Sequence, residues 1–232
     1  MKRLTAVRLI NWHYLVDQTL DVEGSLYLFG KNESGKSSVL DAIQFVLVGD
    51  LRRVRFNASA QEEGRSGRDL PGYVLCKVGE EYQRAEATAY VALQFADADG
   101  SPFVVGAVVD AHSDGREEHA FFIVSDQALS DHLFLGEGRR PYSRREFQAR
   151  MRGHPGARLY PSTEEYQDAL RNRLGQLNER FFDLFVKAFA FRPVGNIREF
   201  VYSYVLDREP LDVGAMRRTR EEMEKLSKIA AR

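Results

Sequence analysis

The sequence predicts an α/β fold in three parts: a phosphate-binding loop set between a strand and a helix, an antiparallel β lobe, and a helical lobe that runs into the start of a coiled coil. Three observations predict it. Gly30-Lys31-Asn32-Glu33-Ser34-Gly35-Lys36-Ser37 has the Walker A spacing of one Gly, four residues and Gly-Lys-Ser. Residues 86–124 alternate between apolar and polar side chains, with turn-forming residues between the runs. Beyond residue 143, apolar side chains return at helical spacing.

Taken in order, Leu4–Ile10 alternates loosely and reads as a first strand, which Asn11 to Leu15 continues. Gln18–Val22 reads as a second strand, turning at Glu23-Gly24. Leu26-Tyr27-Leu28-Phe29 then reads as a short buried strand leading into the glycine loop. Val39, Ile43, Val46 and Leu47 give the following stretch the period of a helix, which Gly49 would stop. Gly30 and Gly35 allow the loop to turn inward and aim its N–H groups at phosphate oxygens. The helix N-terminus adds partial positive charge at the same place. Lys36 would reach the β- and γ-phosphates, and the Ser37 hydroxyl would help hold Mg²⁺. This segment reads as the site of a nucleoside triphosphate.

At 232 residues, with 44% hydrophobic and 29% charged side chains, the chain can build a substantial core. A net charge of -1 argues against nucleic-acid binding through bulk charge but leaves room for local basic patches. The single cysteine, Cys76, excludes an internal disulfide framework and fits a reducing cytoplasm; it reads as a small apolar residue in a strand-like stretch, Tyr73–Val78. No stretch approaches the length of a membrane span, and no signal peptide is visible.

Residues 51–70 are polar and rich in Arg and Gly. Arg52, Arg53 and Arg55, then Arg65 and Arg68, read either as phosphate contacts or as a solvated loop. Ala87–Phe95, Phe103–Ala111 and Ala120–Val124 predict a three-strand antiparallel meander, with Tyr73–Val78 as a candidate fourth strand. Val104 to Asp110 is an apolar run closing on Asp, as a Walker B strand would be. It follows a short hairpin rather than a helical crossover, so its neighbour should be antiparallel.

The remainder reads as helices. Ser143–Met151 is basic, and Ser162-Thr163-Glu164-Glu165 resembles a capping box opening a helix to Leu174. Glu179 to about Ala190 carries Phe181, Phe182, Leu184, Phe185, Val186 and Phe189 around most of its cylinder, which predicts deep burial. Another helix is expected over Ile197–Leu206. In residues 213–232, Met216, Met223 and Ala230 fall seven apart, with Thr219 and Leu226 between them, as at the start of a coiled-coil arm.

The loop Gly30 to Ser38, with its internal Asn32 and Ser34, resembles Walker A of SMC and Rad50-type ATPases. The order of elements is similar to their N-terminal half-head, an ABC/SMC head-type α/β fold, over residues 1–212, with residues 213–232 beginning the arm. Ile10–Tyr14, Arg65–Tyr73 and Asn196–Val201 are most similar to the MukB/MksB-like SMC proteins of prokaryotes, in particular those of the Wadjet anti-plasmid system. The resemblance implies ATP and Mg²⁺ as cofactors. It implies nucleotide binding by Gly30, Lys31, Asn32, Glu33, Ser34, Gly35, Lys36, Ser37 and Ser38, with Lys36 catalytic, and it sets Trp12, His13 and Tyr14 beside the adenine and ribose. His13 reads equally as a packed histidine. Ser37 would bind the metal. The family's Q-loop Gln is replaced by Val194, so either Asn196 substitutes or water serves. Arg52, Arg53 and Arg55 would bind DNA.

No signature motif, Walker B Asp-Glu pair or switch His is found, and Ala111 stands where such ATPases place their catalytic Glu. The resemblance therefore implies half of an ATPase that hydrolyses ATP only when a C-terminal half-head completes it and two heads meet. It implies a cytoplasmic, DNA-translocating homodimer with kleisin and small winged-helix accessory subunits, double-stranded DNA and, if Wadjet-like, a nuclease subunit, without a membrane. Two alternatives are a Rad50/SbcC-type repair ATPase and a self-contained P-loop kinase.

Overall fold

A computed structural model of the chain describes residues 2–54, 56, 68–178, 181–189, 220 and 223. It divides into two units, Met1–Phe191 and Arg192–Arg232. Of the second unit only Arg220 and Met223 are described, both helical and exposed. The predicted helix 197–206, Asn196 and all but these two positions of the predicted arm lie outside the described residues.

In the first unit the alternating runs become strands. β1 (Arg3–Trp12) and β2 (Leu15–Asp21) form a hairpin, and β5 (Glu86–Ala96), β6 (Pro102–His112) and β7 (Glu117–Ser125) form the expected meander. These five strands share one antiparallel sheet with β8 (Ala157–Tyr160), in the order β2-β1-β5-β6-β7-β8. The meander's fourth strand is thus β8.

Both faces of this sheet are covered. On one side α1 (Lys36–Val48), α2 (Leu70–Val74), α5 (Thr163–Leu174) and α6 (Phe181–Phe189) pack with Val7, Leu9, Val91, Val105 and Phe121. On the other, α3 (Asp131–Phe134) and α4 (Arg144–Met151) pack with Ile10, Tyr90, Val108 and Phe122. Double coverage explains why Val104–Val109 is continuously apolar: successive side chains enter opposite cores, so neither face selects polar residues. Asn11 breaks the alternation of β1 with a left-handed φ of 51°, and Trp12 thereby joins the α1 side.

Side chains cap α4 and α5. Ser143 and Glu146 form a capping box on α4, and Arg140 with the Ser143 N–H holds the Glu146 carboxyl down to about 2. Ser162 accepts from the Glu165 N–H at 3.2 Å to open α5. No described helix is long and apolar enough to cross a membrane.

Three expectations change. Leu26–Phe29 forms no strand and has no strand partner among the described residues: Leu26 and Leu28 pack on the core, while Tyr27 and Phe29 are 74% and 89% exposed. A strand entering a phosphate loop needs parallel neighbours reached by crossovers, and the six-stranded sheet is antiparallel throughout. Tyr73–Val78 is not one strand. Asp69 caps α2 by accepting from the Gly72 N–H at 2.9 Å, and Cys76 turns the chain with φ 55° into β3 (Lys77–Val78), which pairs with β4 (Glu81–Tyr82). In α6, Phe182 is buried, but Phe181, Leu184, Phe185 and Val186 are only half-buried, because the core lies on one side of it.

Candidate nucleotide-binding site

The site is held from beneath by aromatic packing. The buried Trp12 ring stacks on Tyr73 at 4.6 Å and on Phe45 at 5.9 Å, and its Nε1–H donates to the Ser38 carbonyl at 2.8 Å. This bond ties the end of β1 to the first turn of α1. The Tyr73 hydroxyl donates to Asp41 of α1 at 2.5 Å; burial and then the carboxylate push the phenol's pKa up, so it stays a donor. Arg84 donates to the carbonyls of His13 and Val74, each at 2.9 Å, and pins the β1–β2 turn to α2. The N-terminus of α1 is therefore anchored by β1 and α2. No pattern in the sequence marks Arg84 or the Asp41–Tyr73 pair for this work, since each is a single polar residue.

The loop itself has the geometry of an anion cradle. Gly35 caps α1 with φ 92°, a conformation costly for any side chain, and no side chain caps the helix. The N–H groups of the first turn, which a helix leaves without internal acceptors, therefore have none from a capping residue. The first turn holds no acidic residue to repel an anion. At Gly30 a Cβ would stand 2.5 Å from Ser34 Oγ, so a larger residue would fill the loop. The Lys36 ammonium arches back and donates to the carbonyls of Gly30 at 2.8 Å and Lys31 at 2.6 Å. Lys31, Asn32, Glu33, Ser34 and Ser37 are exposed, while Ser38 is buried against Trp12. Phosphate oxygens would meet the free N–H groups, the positive end of the helix dipole and the ammonium together. The residues present fit a nucleoside triphosphate. Among the described residues no group of three or more His, Cys, Asp or Glu could hold a metal. Mg²⁺ in such sites rests on one or two protein oxygens, phosphates and water, a role open to the exposed Ser37 hydroxyl.

The other predicted residues fall in different places. Trp12 is enclosed by Tyr73, Phe45 and Phe56, so its faces are taken by protein rings and it cannot stack on a base. His13 is 4% exposed, its Nε2 lies 3.3 Å from the Lys77 carbonyl, and burial followed by the charge of Arg68 lowers its pKa to about 4. Tyr14 beside it is 59% exposed and meets the His13 ring edge-on at 4.3 Å. Arg52 donates to Asp50 through Nε at 3.1 Å, and Arg53 bridges Asp50 at 3.8 Å and Asp183 at 3.3 Å. Arg55 and Asn196 lie outside the described residues. Asp110 sits on β6 between antiparallel neighbours; it accepts from Thr88 Oγ1 at 2.7 Å and from the first N–H of α4, that of Arg144, at 3.0 Å. Its carboxylate is spent on a helix N-terminus.

Comparison with known families meets this geometry at the same segment. Residues 4–63 match the P-loop containing region of AAA domain. The matched P-loop region takes in β1, β2, the glycine loop and α1. It supports a P-loop NTPase, a class that binds nucleotide and usually Mg²⁺. No curated protein sequence matches the chain.

Proposed function

We propose that the chain is the ATP-binding N-terminal half-head of an SMC-like, DNA-translocating ATPase of the Wadjet/MksB type. The observation that carries this reading is the uncovered segment Leu26–Phe29. It leads into a well-formed phosphate loop, lacks a strand partner among the described residues and turns Tyr27 and Phe29 outward. Apolar side chains so placed on an unpaired backbone call for a complementary segment, and a C-terminal half-head would supply parallel strands there. The same half would bring the carboxylate that orients water, since Asp110 already serves α4. Nucleotide would lie on Gly30 to Ser38, with Tyr14 near the base, Ser37 on Mg²⁺ and Asn196 as a second metal-side candidate. His13, closed in by its neighbours, would position Tyr14. Arg52, Arg53 and Arg55 would approach duplex DNA, after Arg52 and Arg53 exchange Asp50 for phosphate. Kleisin, winged-helix and nuclease subunits belong to this reading as its expected company.

The test is co-expression with the partner half-head. Solubility should rise first, ATP binding should then tighten, and Lys36-dependent turnover should follow. A chain that gains nothing from the partner half would overturn the proposal.

A further inference from the structure

Outside the matched P-loop region, an open pocket of about 450 Å³ lies along the seam between β7, β8 and α5. Its lining includes Lys2, Arg158 and Arg173, the polar side chains of Ser125, Tyr160 and Asn172, and no Asp or Glu. Cation clusters on a surface are common, but here the three are fixed in place. Arg173 lies over the Phe103 ring at 3.9 Å, Lys2 over the same ring at 5.7 Å, and Arg158 over Tyr160 at 5.1 Å. A ring face holds a cation without using its N–H donors, although the Lys2 ammonium also donates to the Arg173 carbonyl. Carboxylates nearby do not match the cations one for one. Asp97 serves both Lys2, at 3.3 Å, and Arg173, at 2.7 Å, while Glu165 stands 3.8 Å from Arg158.

Two details distinguish this cavity from a packing gap. Arg173 Nε is buried and has no hydrogen-bond partner, a state that native proteins seldom leave unresolved. Gly156 draws the wall in close: its φ is +87°, and a Cβ there would stand 3.3 Å from the Ser125 carbonyl oxygen. The volume falls within the range of small-ligand sites and exceeds what a bare oxyanion fills.

We propose that this cavity is a second anion site, which takes a phosphate-bearing ligand through Arg173, Arg158 and Lys2. The guanidinium forks supply paired donors suited to phosphate oxygens, and Asn172 supplies a neutral donor. Phosphate could come from a free small molecule or from a nucleic-acid backbone, and the two sources are separable by experiment.

The test uses the Lys36→Ala protein, in which the P-loop has lost its cation, so the result does not depend on the half-head reading. Pyrophosphate and a short single-stranded oligonucleotide are titrated separately by calorimetry. Saturable binding is expected, weakened about tenfold or more by Arg158→Gln and by Arg173→Gln. Arg158 is exposed, so its variant remains informative if Arg173→Gln impairs folding. Nitrogen NMR should show Arg173 Nε shifting as it gains an acceptor. Pyrophosphate binding assigns the site to free phosphorylated ligands, and oligonucleotide binding alone assigns it to a nucleic-acid backbone. Absence of binding by both, or binding unchanged in Arg158→Gln, overturns the proposal.

Discussion

Lys36 and Asp110 are both charged residues in stretches that look like ATPase motifs, and their contacts separate them. Among the described residues, Lys36 donates only to loop carbonyls and the Ser34 hydroxyl. Lys36→Ala should therefore keep the fold, seen as an unchanged thermal melt, while ATP affinity falls roughly ten- to a hundredfold, the worth of one charge-assisted contact. Asp110 bonds a helix N-terminus instead. Asp110→Asn keeps an acceptor and should alter turnover of the assembled ATPase by less than about tenfold, whereas Asp110→Ala should cost about 1 kcal/mol of stability. A collapse of turnover in Asp110→Asn at constant melting temperature would contradict this. His13 gives a pH signature. Its folded pKa of about 4 lies below the ordinary value of 6.5, so between those limits the unfolded chain holds the extra proton. The stability it contributes is complete above pH 6.5 and is lost as pH falls toward 4. His13→Asn, which suits the residue's left-handed φ of 54°, should flatten that part of the stability profile. Equal slopes in both proteins would show that His13 is not the group responsible.

At the scale of elements, what was legible depended on whether the signal was local. Ser162 announces α5 because a cap is a bond between neighbours in sequence, and Ser143 with Glu146 caps α4 in the same local way. The β5–β7 meander is legible from alternation and short hairpins. Those hairpins also reveal Val104–Asp110 as antiparallel despite its apolar run. Leu26–Phe29 is misleading, because four apolar residues before a glycine loop look the same whether or not strands lie beside them. Tyr73–Val78 misleads in the opposite sense: its alternation yields to the Asp69 cap and the turn at Cys76. The exposed pair offers a direct check. Tyr27→Ser with Phe29→Ser should change the stability of the chain by no more than about 0.5 kcal/mol, as at other surface sites, while weakening capture of the partner half-head in sedimentation. A large stability loss would mean that the two rings are already covered.

For the whole molecule, the candidate nucleotide site is legible in the sequence because a phosphate cradle is one contiguous string of residues. Its support is not, since Trp12, Tyr73, Arg84 and Asp41 come together only through tertiary packing. The cavity around Arg173 is likewise invisible in sequence, where its cations stand 171 positions apart at the extremes. Chemistry on ATP in P-loop enzymes is positioning plus electrostatics, and it needs a carboxylate to orient the attacking water. In the proposed half-head, this chain supplies the cradle and one metal-side hydroxyl, and a partner supplies the rest. The most direct measurement is the ATPase rate of the purified chain across a range of concentrations, alone and with the partner half-head. Alone it should not exceed the rate in buffer. With the partner, turnover should depend on Lys36 and rise faster than linearly with concentration as two heads meet. Hydrolysis by the chain alone, linear in its concentration and abolished by Lys36→Ala, would contradict the half-head account and make this a complete P-loop enzyme.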